Sequence, residues 1–236
     1  MQDDLQNSNA LPMYVQISEL LIRDIAAGRL MDGERLAPER DMANSLGISV
    51  GTLRKALAIL ETNQLLERVQ GSGNYVRHSG RTDSVYAMFR LELPDGGGLP
   101  RADILDVAYV EKPQDLPAFG RTKHGNRIRR LRYLNDICVA LEEIWLDGSM
   151  GQVDLNLLSD SLYQYYKDQL GFWILRAEDR VSIGAVPDWS PPRFDLPIGQ
   201  ITGYIERLSW SELSIPIEFS RTWFDTNNAH YVQRLK

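Results

Sequence analysis

The stretch Gly47–Leu60, GISVGTLRKALAIL, decides how the first third of this 236-residue chain is read. Ser49 is an N-cap candidate. Behind it Leu53, Ala56, Leu57 and Leu60 recur at the i, i+3, i+4, i+7 spacing of a helix with one buried side. Val50, Gly51, Arg54, Lys55 and Ala58 are left to point elsewhere. Between residues 42 and 60, Arg54 and Lys55 are the only charged residues. That small basic face contrasts with a net charge of -6 and a pI near 5.2 for the chain. Residues 1–80 hold eight Lys/Arg against ten Asp/Glu, and the remainder 18 against 22. Neither part is basic in bulk, so nucleic-acid binding needs a local surface.

Toward the N-terminus, APERDMANSLG (37–47) reads as a short helix with Pro38 in its first turn and Glu39 at the positive end of its dipole, closed by Gly47. Before it, MYVQISELLIRDIAAG (13–28) follows Pro12. Its apolar side is Val15, Ile17, Leu20, Leu21 and Ile25, and Gly28 terminates it. Toward the C-terminus, LLERVQGSGNYVRH (65–78) is two short apolar runs around Gly-Ser-Gly, the pattern of a β-hairpin. Together these elements make a winged helix-turn-helix. A helix of this kind enters the DNA major groove and reads base edges near its N-terminus. Small Ser49, Gly51 and Thr52 permit close approach, and Arg54 and Lys55 reach guanine edges or phosphate. Arg40 is a further phosphate candidate, and the tip Gly71, Ser72, Gly73, Asn74 suits the adjacent minor groove. One basic pair on a helix is usually only a solvated face. The conjunction of cap, tight turn, basic helix and glycine-tipped hairpin is what points to DNA.

The run LAPERDMANSLGISVGTLRKALAILETNQLLERVQGSGNYV (36–76) resembles the winged helix-turn-helix of GntR-family bacterial regulators. Those show a Leu-Pro-Ser-Glu-Arg start, a Val-Ser-x-x-Thr-Val-Arg-x-Ala-Leu core and a Gly-x-Gly-Thr-Phe-Val wing. The resemblance spans roughly Pro12 to Val76 and implies that Arg40, Ser49, Thr52, Arg54 and Gly71 to Asn74 contact DNA. Val50 stands where the family commonly has arginine, and Ser72 where the wing often has arginine or lysine. Both departures remove charge, implying an atypical operator or weaker, less salt-sensitive binding.

From HSGRTDS (78–84) onward the character changes, and a boundary there separates domain 1–78 from domain 79–236. Polar, glycine-rich stretches such as LPDGGGLPRAD alternate with strand-like runs, ILDVAYV, RIRRLRY and ICVALEEIWL. All five tryptophans lie in this second part. RIRRLRYLNDICVALEEIWL (127–146) reads as two strands about the turn Asn135-Asp136. By the period-2 rule Arg130 and Arg132 share a face and can converge on one anion, with Glu142 on the returning strand. Ser161, three residues before Gln164, opens an amphipathic helix in SDSLYQYYKDQLG, and such an N-terminus suits an anion. On spacing alone, exposed arginines and a self-contained cap are the better reading. Tyr163, Tyr165, Tyr166, Phe172 and Trp173 read as packing, with only Tyr163 set apart by its motif.

The order of RRLRYLNDICVALEEIWL, SLYQYYKDQLGFWILRAEDRVS and IPIEFSRTWF is similar to the UTRA effector domain of the HutC branch of the GntR family. The resemblance implies an α+β chain: an N-terminal winged helix-turn-helix, then an α/β domain with a mostly antiparallel sheet, related in fold to chorismate lyase. Such domains bind small, often phosphorylated or carboxylated metabolites. Carried over by motif, Arg130, Arg132 and Ser161 hold the anionic group, Glu142, Tyr163 and Glu218 bond the remaining polar atoms, and Arg176 lies nearby. Phe224 stands where a hydroxyl is often available, which counts against a sugar-like ligand.

The expected function is a transcription regulator, a repressor acting as a cytoplasmic homodimer on a double-stranded DNA operator, released by a small anionic metabolite and using no cofactor. An enzyme of lyase-like fold is the competing class, yet no paired nucleophile and base stands out. A metabolite-binding module that docks a protein partner through its winged helix is the third reading. No apolar run is long enough to cross a bilayer, and the N-terminus MQDDLQNSNALP has the wrong chemistry for a secretory signal. The lone Cys138 fits a reducing compartment, and His78, His124 and His230 lack metal-ligand spacing.

Overall fold

The computed structural model describes residues 12–26, 28–77, 88–158 and 161–234. The expected boundary at 78–84 and the acidic start, MQDDLQNSNAL, lie outside the described residues. Two compact units form. One gathers Leu11–Leu91 with Gly97–Leu99 and Tyr231–Lys236; the other takes Glu92–Gly96 and Pro100–His230.

In the first unit, α1 (Met13–Ala26) begins directly after Pro12, whose carbonyl accepts from Val15 N at 2.8 Å and Gln16 N at 3.1 Å. Next come α2 (Glu39–Ser45) and α3 (Val50–Thr62). Pro38 is the residue before α2 rather than part of its first turn. Its fixed φ of -50° directs the chain into the helix, and its carbonyl takes Met42 N at 2.9 Å. Gly47, at φ +65°, makes the tight turn that a side chain would strain. Ser49 then caps α3 by accepting from Thr52 N at 3.0 Å. The stripe Leu53, Ala56, Leu57 and Leu60 is fully buried against Ile17, Leu21, Ile22 and Ile25 of α1. Burial of each leucine side chain contributes about 1.5–3 kcal/mol. β1 (Leu66–Val69) and β2 (Gly73–Val76) form the antiparallel hairpin. The segment 33–36 runs along the other side of β2, with Gly33 N on Val76 O, Val76 N on Glu34 O and Leu36 N on Asn74 O, each at 2.9 Å.

The short strands β3 (Leu91–Glu92) and β10 (His230–Tyr231) make a separate pair. The second unit is a six-stranded antiparallel sheet in the order β4-β5-β6-β9-β8-β7. Its strands are β4 (Pro100–Glu111), β5 (His124–Leu134), β6 (Ile137–Asp147), β7 (Arg176–Ala185), β8 (Ile201–Trp210) and β9 (Glu218–Phe224). Asn135, at φ +55°, makes the β5–β6 turn where the sequence placed it. The register sets Arg130 opposite Glu142, Glu142 opposite Thr222, Arg207 opposite Ser220 and Asp179 opposite Arg207. Side chains alternate along each strand, so these residues and Arg132, Ser209 and Glu218 share one face. On the other face Leu131, Tyr133 and Leu141 pack against Val186 and Phe194.

The helix opened by Ser161 is shorter than expected. α4 (Leu162–Tyr165) passes into a single π turn at Tyr166–Leu170, and Gly171 ends it at φ +73°. Cys138 lies half-buried in β6, and burial pushes its thiol up to about 11, which makes a poor nucleophile. Among the described residues no helix is long and apolar enough to cross a membrane, and no group of three or more His, Cys, Asp or Glu could hold a metal ion.

Candidate DNA-binding surface and effector site

In the first unit Arg40, Ser49, Gly51, Arg54, Lys55 and Gly71 are exposed, while Thr52, Ser72, Gly73 and Asn74 are half-buried. The Ser49 and Thr52 hydroxyls lie 2.8 Å apart, closing the start of α3. Lys55 Nζ sits 5.8 Å from the Tyr14 ring centre. One expectation is corrected. Within 42–60 the basic face has no carboxylate, yet Glu39 from α2 reaches it and Oε2 accepts from Arg54 Nε at 2.6 Å. Arg68 of β1 extends the chain of charges, its Nε 2.9 Å from Glu61 Oε2 and its Nη1 3.9 Å from Glu39 Oε1. At the hairpin, Gly71 (φ +74°) and Gly73 (φ +137°) adopt backbone that only glycine takes without strain. The Ser72 hydroxyl lies 2.6 Å from that of Tyr75.

On the polar sheet face of the second unit, Arg130 Nε donates to Glu142 Oε2 at 2.6 Å, and Arg132 Nε lies 3.8 Å from the same oxygen. Both arginines are buried, and among the described residues the Arg130 Nη1 atom has no hydrogen-bond partner. Burial alone would raise the Glu142 carboxyl, but Arg130 and Arg132 outweigh it and hold it below the usual carboxylate range. Glu218, 2% exposed, goes the other way. Its burial dominates and raises its carboxyl, against hydrogen bonds from Tyr166 and Ser209 and the charges of Arg207 and Arg130. Tyr166 donates to Oε2 at 2.6 Å, Ser209 to Oε1 at 2.8 Å and Tyr163 to Oε1 at 3.3 Å. Three residues apart on one helical face, Tyr163 and Tyr166 thus reach a single carboxylate. Buried Ser161 caps that helix through Gln164 N at 3.3 Å.

The face thus brings together Arg130, Arg132, Glu142, Tyr163 and Glu218 as expected. Arg176 is not among them. It pairs across the sheet with Trp210, on the opposite face, and its exposed guanidinium lies 4.2 Å from the Trp210 ring centre and 3.6 Å from Glu178. Three members were not singled out from sequence. Arg207 is held by Asp179 through contacts of 2.5 and 2.7 Å, and its charge reaches Glu142. Ser209 follows two residues later on the same strand. Helical spacing marks Tyr166 as packing; it is fully buried, and its hydroxyl also binds Glu218. Phe224 lies on this face too, its ring occupying the space a side chain at Gly203 would need. The arrangement is a buried cluster in which Arg130 and Arg132 meet Glu142 beside Glu218 and its tyrosine and serine donors.

Comparison with known proteins is consistent along the chain. Residues 13–76 match the family of bacterial regulatory proteins, gntR family, and residues 96–230 match the UTRA domain. The HTH-type transcriptional regulator SmoD of Agrobacterium fabrum is 55% identical over 228 residues, covering 96% of this chain and 97% of the relative. The HTH-type transcriptional repressor NagR of Bacillus subtilis is 24% identical, covering 98% and 99%. Among solved structures, a possible transcriptional regulator, YydK from Bacillus subtilis, shares the fold with a TM-score of 0.53 at 18% identity, covering 96% of this chain and all of that one. These relatives are transcription regulators, not enzymes. A GntR segment that binds DNA joined to a UTRA domain that binds a small-molecule effector makes this chain a member of the GntR family of bacterial transcription regulators.

Proposed function

We propose that this chain is a repressor of the HutC type, acting as a cytoplasmic homodimer and released from its operator by a small anionic metabolite. In this reading segment 1–78 holds double-stranded DNA and segment 79–236 holds the effector. Arg40, Ser49, Thr52, Arg54, Lys55 and the tip Gly71 to Asn74 contact the duplex, two α3 helices of a dimer meeting half-sites one helical turn, about 34 Å, or a multiple apart. Arg130, Arg132 and the Ser161 end of α4 receive the anion, and Glu142, Tyr163 and Glu218 bond its remaining polar atoms. The observation that carries the effector class is the buried Arg130 Nη1, a desolvated cationic donor with no hydrogen-bond acceptor among the described residues. A repressor role is supported by the relative NagR, named as a repressor.

Effector binding favours a dimer whose two recognition helices no longer match the half-sites, a population shift worth about 1–3 kcal/mol of coupling. All five tryptophans lie beyond residue 84, so fluorescence titration reports mainly on the sensing part. The test is such a titration against phosphosugars, phosphonates, carboxylates and amino-acid breakdown products. An electrophoretic shift with the DNA upstream of the coding region follows. One anionic compound should bind saturably, release the DNA, and lose affinity in R132A. Saturable binding of an uncharged compound with equal strength in wild type and R132A would overturn the reading.

A further inference from the structure

The wing poses a charge problem that the sequence leaves open. From Val69 to Val76 the hairpin carries no charged residue, because Ser72 stands where the family often has arginine or lysine. The flanking cations are engaged: Arg77 is ion-paired with Glu67, and Arg68 with Glu61 and Glu39. Arg35 is different. It lies on the segment beside β2, bridged to Tyr75, and is exposed. Among the described residues its guanidinium makes no ion pair. Its side chain runs over the wing. A Cβ at Gly73 would lie 3.0 Å from Arg35 Nε and 3.5 Å from Nη2. The missing side chain at Gly73, already required by φ +137°, is what lets the guanidinium rest against the hairpin backbone.

We infer that Arg35 supplies the wing's phosphate contact, doing from the neighbouring strand what a basic residue at position 72 does elsewhere. The inference rests on the DNA-binding reading above. A guanidinium presented beside a glycine-rich hairpin can hydrogen-bond phosphate oxygens without a bulky side chain at the tip, so the tip keeps its close approach to the groove.

The test uses the full-length chain and a duplex selected from a random library by the wild-type protein. R35A should weaken binding several-fold and make the slope of log K against log salt shallower by about one, the signature of one lost phosphate contact. R35K should keep most of the affinity. The double variant R35A/S72R, which returns the charge to the tip, should regain affinity and slope, and thermal unfolding should be unchanged for R35A. Two outcomes sink the inference: R35A binding with unaltered affinity and slope, or an affinity loss that accompanies a lowered unfolding midpoint and is not recovered by S72R. If the wild-type chain selects no duplex, or R54A binds as wild type does, the DNA-binding reading itself fails, and that failure is distinct from the first two.

Discussion

Arg54 and Arg130 each place Nε 2.6 Å from Oε2 of a glutamate, yet the two pairs inhabit different solvents. The Arg54 side chain is 64% exposed and that of Glu39 22%; Arg130 and Glu142 are 10% and 12% exposed. Identical geometry therefore carries different energetics. At the surface, water and salt screen the attraction, and ordering two long side chains offsets much of the remainder. On the sheet face the charges have lost their water, so each depends on the other. The first unit keeps this pair in solvent, whereas the second holds its pair away from it.

The largest expected effect breaks the buried pair. E142Q leaves Arg130 and Arg132 without their shared carboxylate and should destabilise the second unit by about 3–5 kcal/mol, read by denaturant unfolding. A variant as stable as wild type would mean that water reaches these guanidiniums. The sign of the pH dependence follows from the depressed Glu142 value. Its contribution is complete above the unfolded value near 4.3 and is lost as pH falls through the lower folded value, so E142Q should flatten the acid limb of the stability curve below about pH 4.

Glu218 sharpens the contrast within one face. Its folded value is raised, so its contribution is complete below about pH 4.3 and lost as pH rises through the folded value. Where Glu218 is ionised its burial is a cost, partly offset by Tyr166 and Ser209. E218Q should therefore cost less stability than E142Q in the same denaturant unfolding, while losing affinity for the effector. A loss of several kcal/mol at pH 7 would place Glu218 with Glu142 and remove the distinction.

The two units were legible to different depths for a physical reason. The signals that mark the first are local in sequence. The stripe at Leu53, Ala56, Leu57 and Leu60, the Ser49 cap and the glycine turns are all local rules, and all appear. In the second, the β5–β6 turn is also local, but alone it would set Arg130 opposite Leu141; a bulge between Arg132 and Tyr133 shifts the register by one residue and brings Arg130 to Glu142. Among the residues that escaped notice, Arg207 and Ser209 come from a strand whose register no local rule fixes, and Tyr166 from a helical turn whose partner lies on a distant strand. Arg207 and Asp179 are 28 residues apart, and Tyr166 meets Glu218 across 52. Glu39 escaped for the same reason: 15 residues and a change of helix separate it from Arg54. Alternation says which side chains share a strand face; it does not say which strands are neighbours.

A local device in the first unit offers a smaller effect. Ser49 accepts from Thr52 N, and its loss in S49A leaves a helix-end donor unsatisfied, at about 1 kcal/mol. Because the same hydroxyl faces the expected phosphate, S49A should also weaken DNA binding. S49D is the separating control: it keeps the cap and stability but repels phosphate, so its binding should fall further than that of S49A.

The smallest effect on stability belongs to the exposed pair, and it carries the most specific consequence for recognition. Glu39 occupies Nε of Arg54, and in the proposed reading this leaves the two terminal nitrogens as the pair for guanine O6 and N7. The carboxylate then orients the arginine while repelling phosphate. Removing its charge in E39Q should change unfolding free energy by no more than about 0.5 kcal/mol. Binding to unrelated duplex should tighten, since one repulsive charge is gone, while binding to the selected duplex should gain less, because Arg54 is no longer held. The ratio of the two affinities should therefore fall. A ratio equal to that of wild type, with both affinities raised together, would show that Glu39 only screens charge and that the orientation of Arg54 is set by the duplex itself.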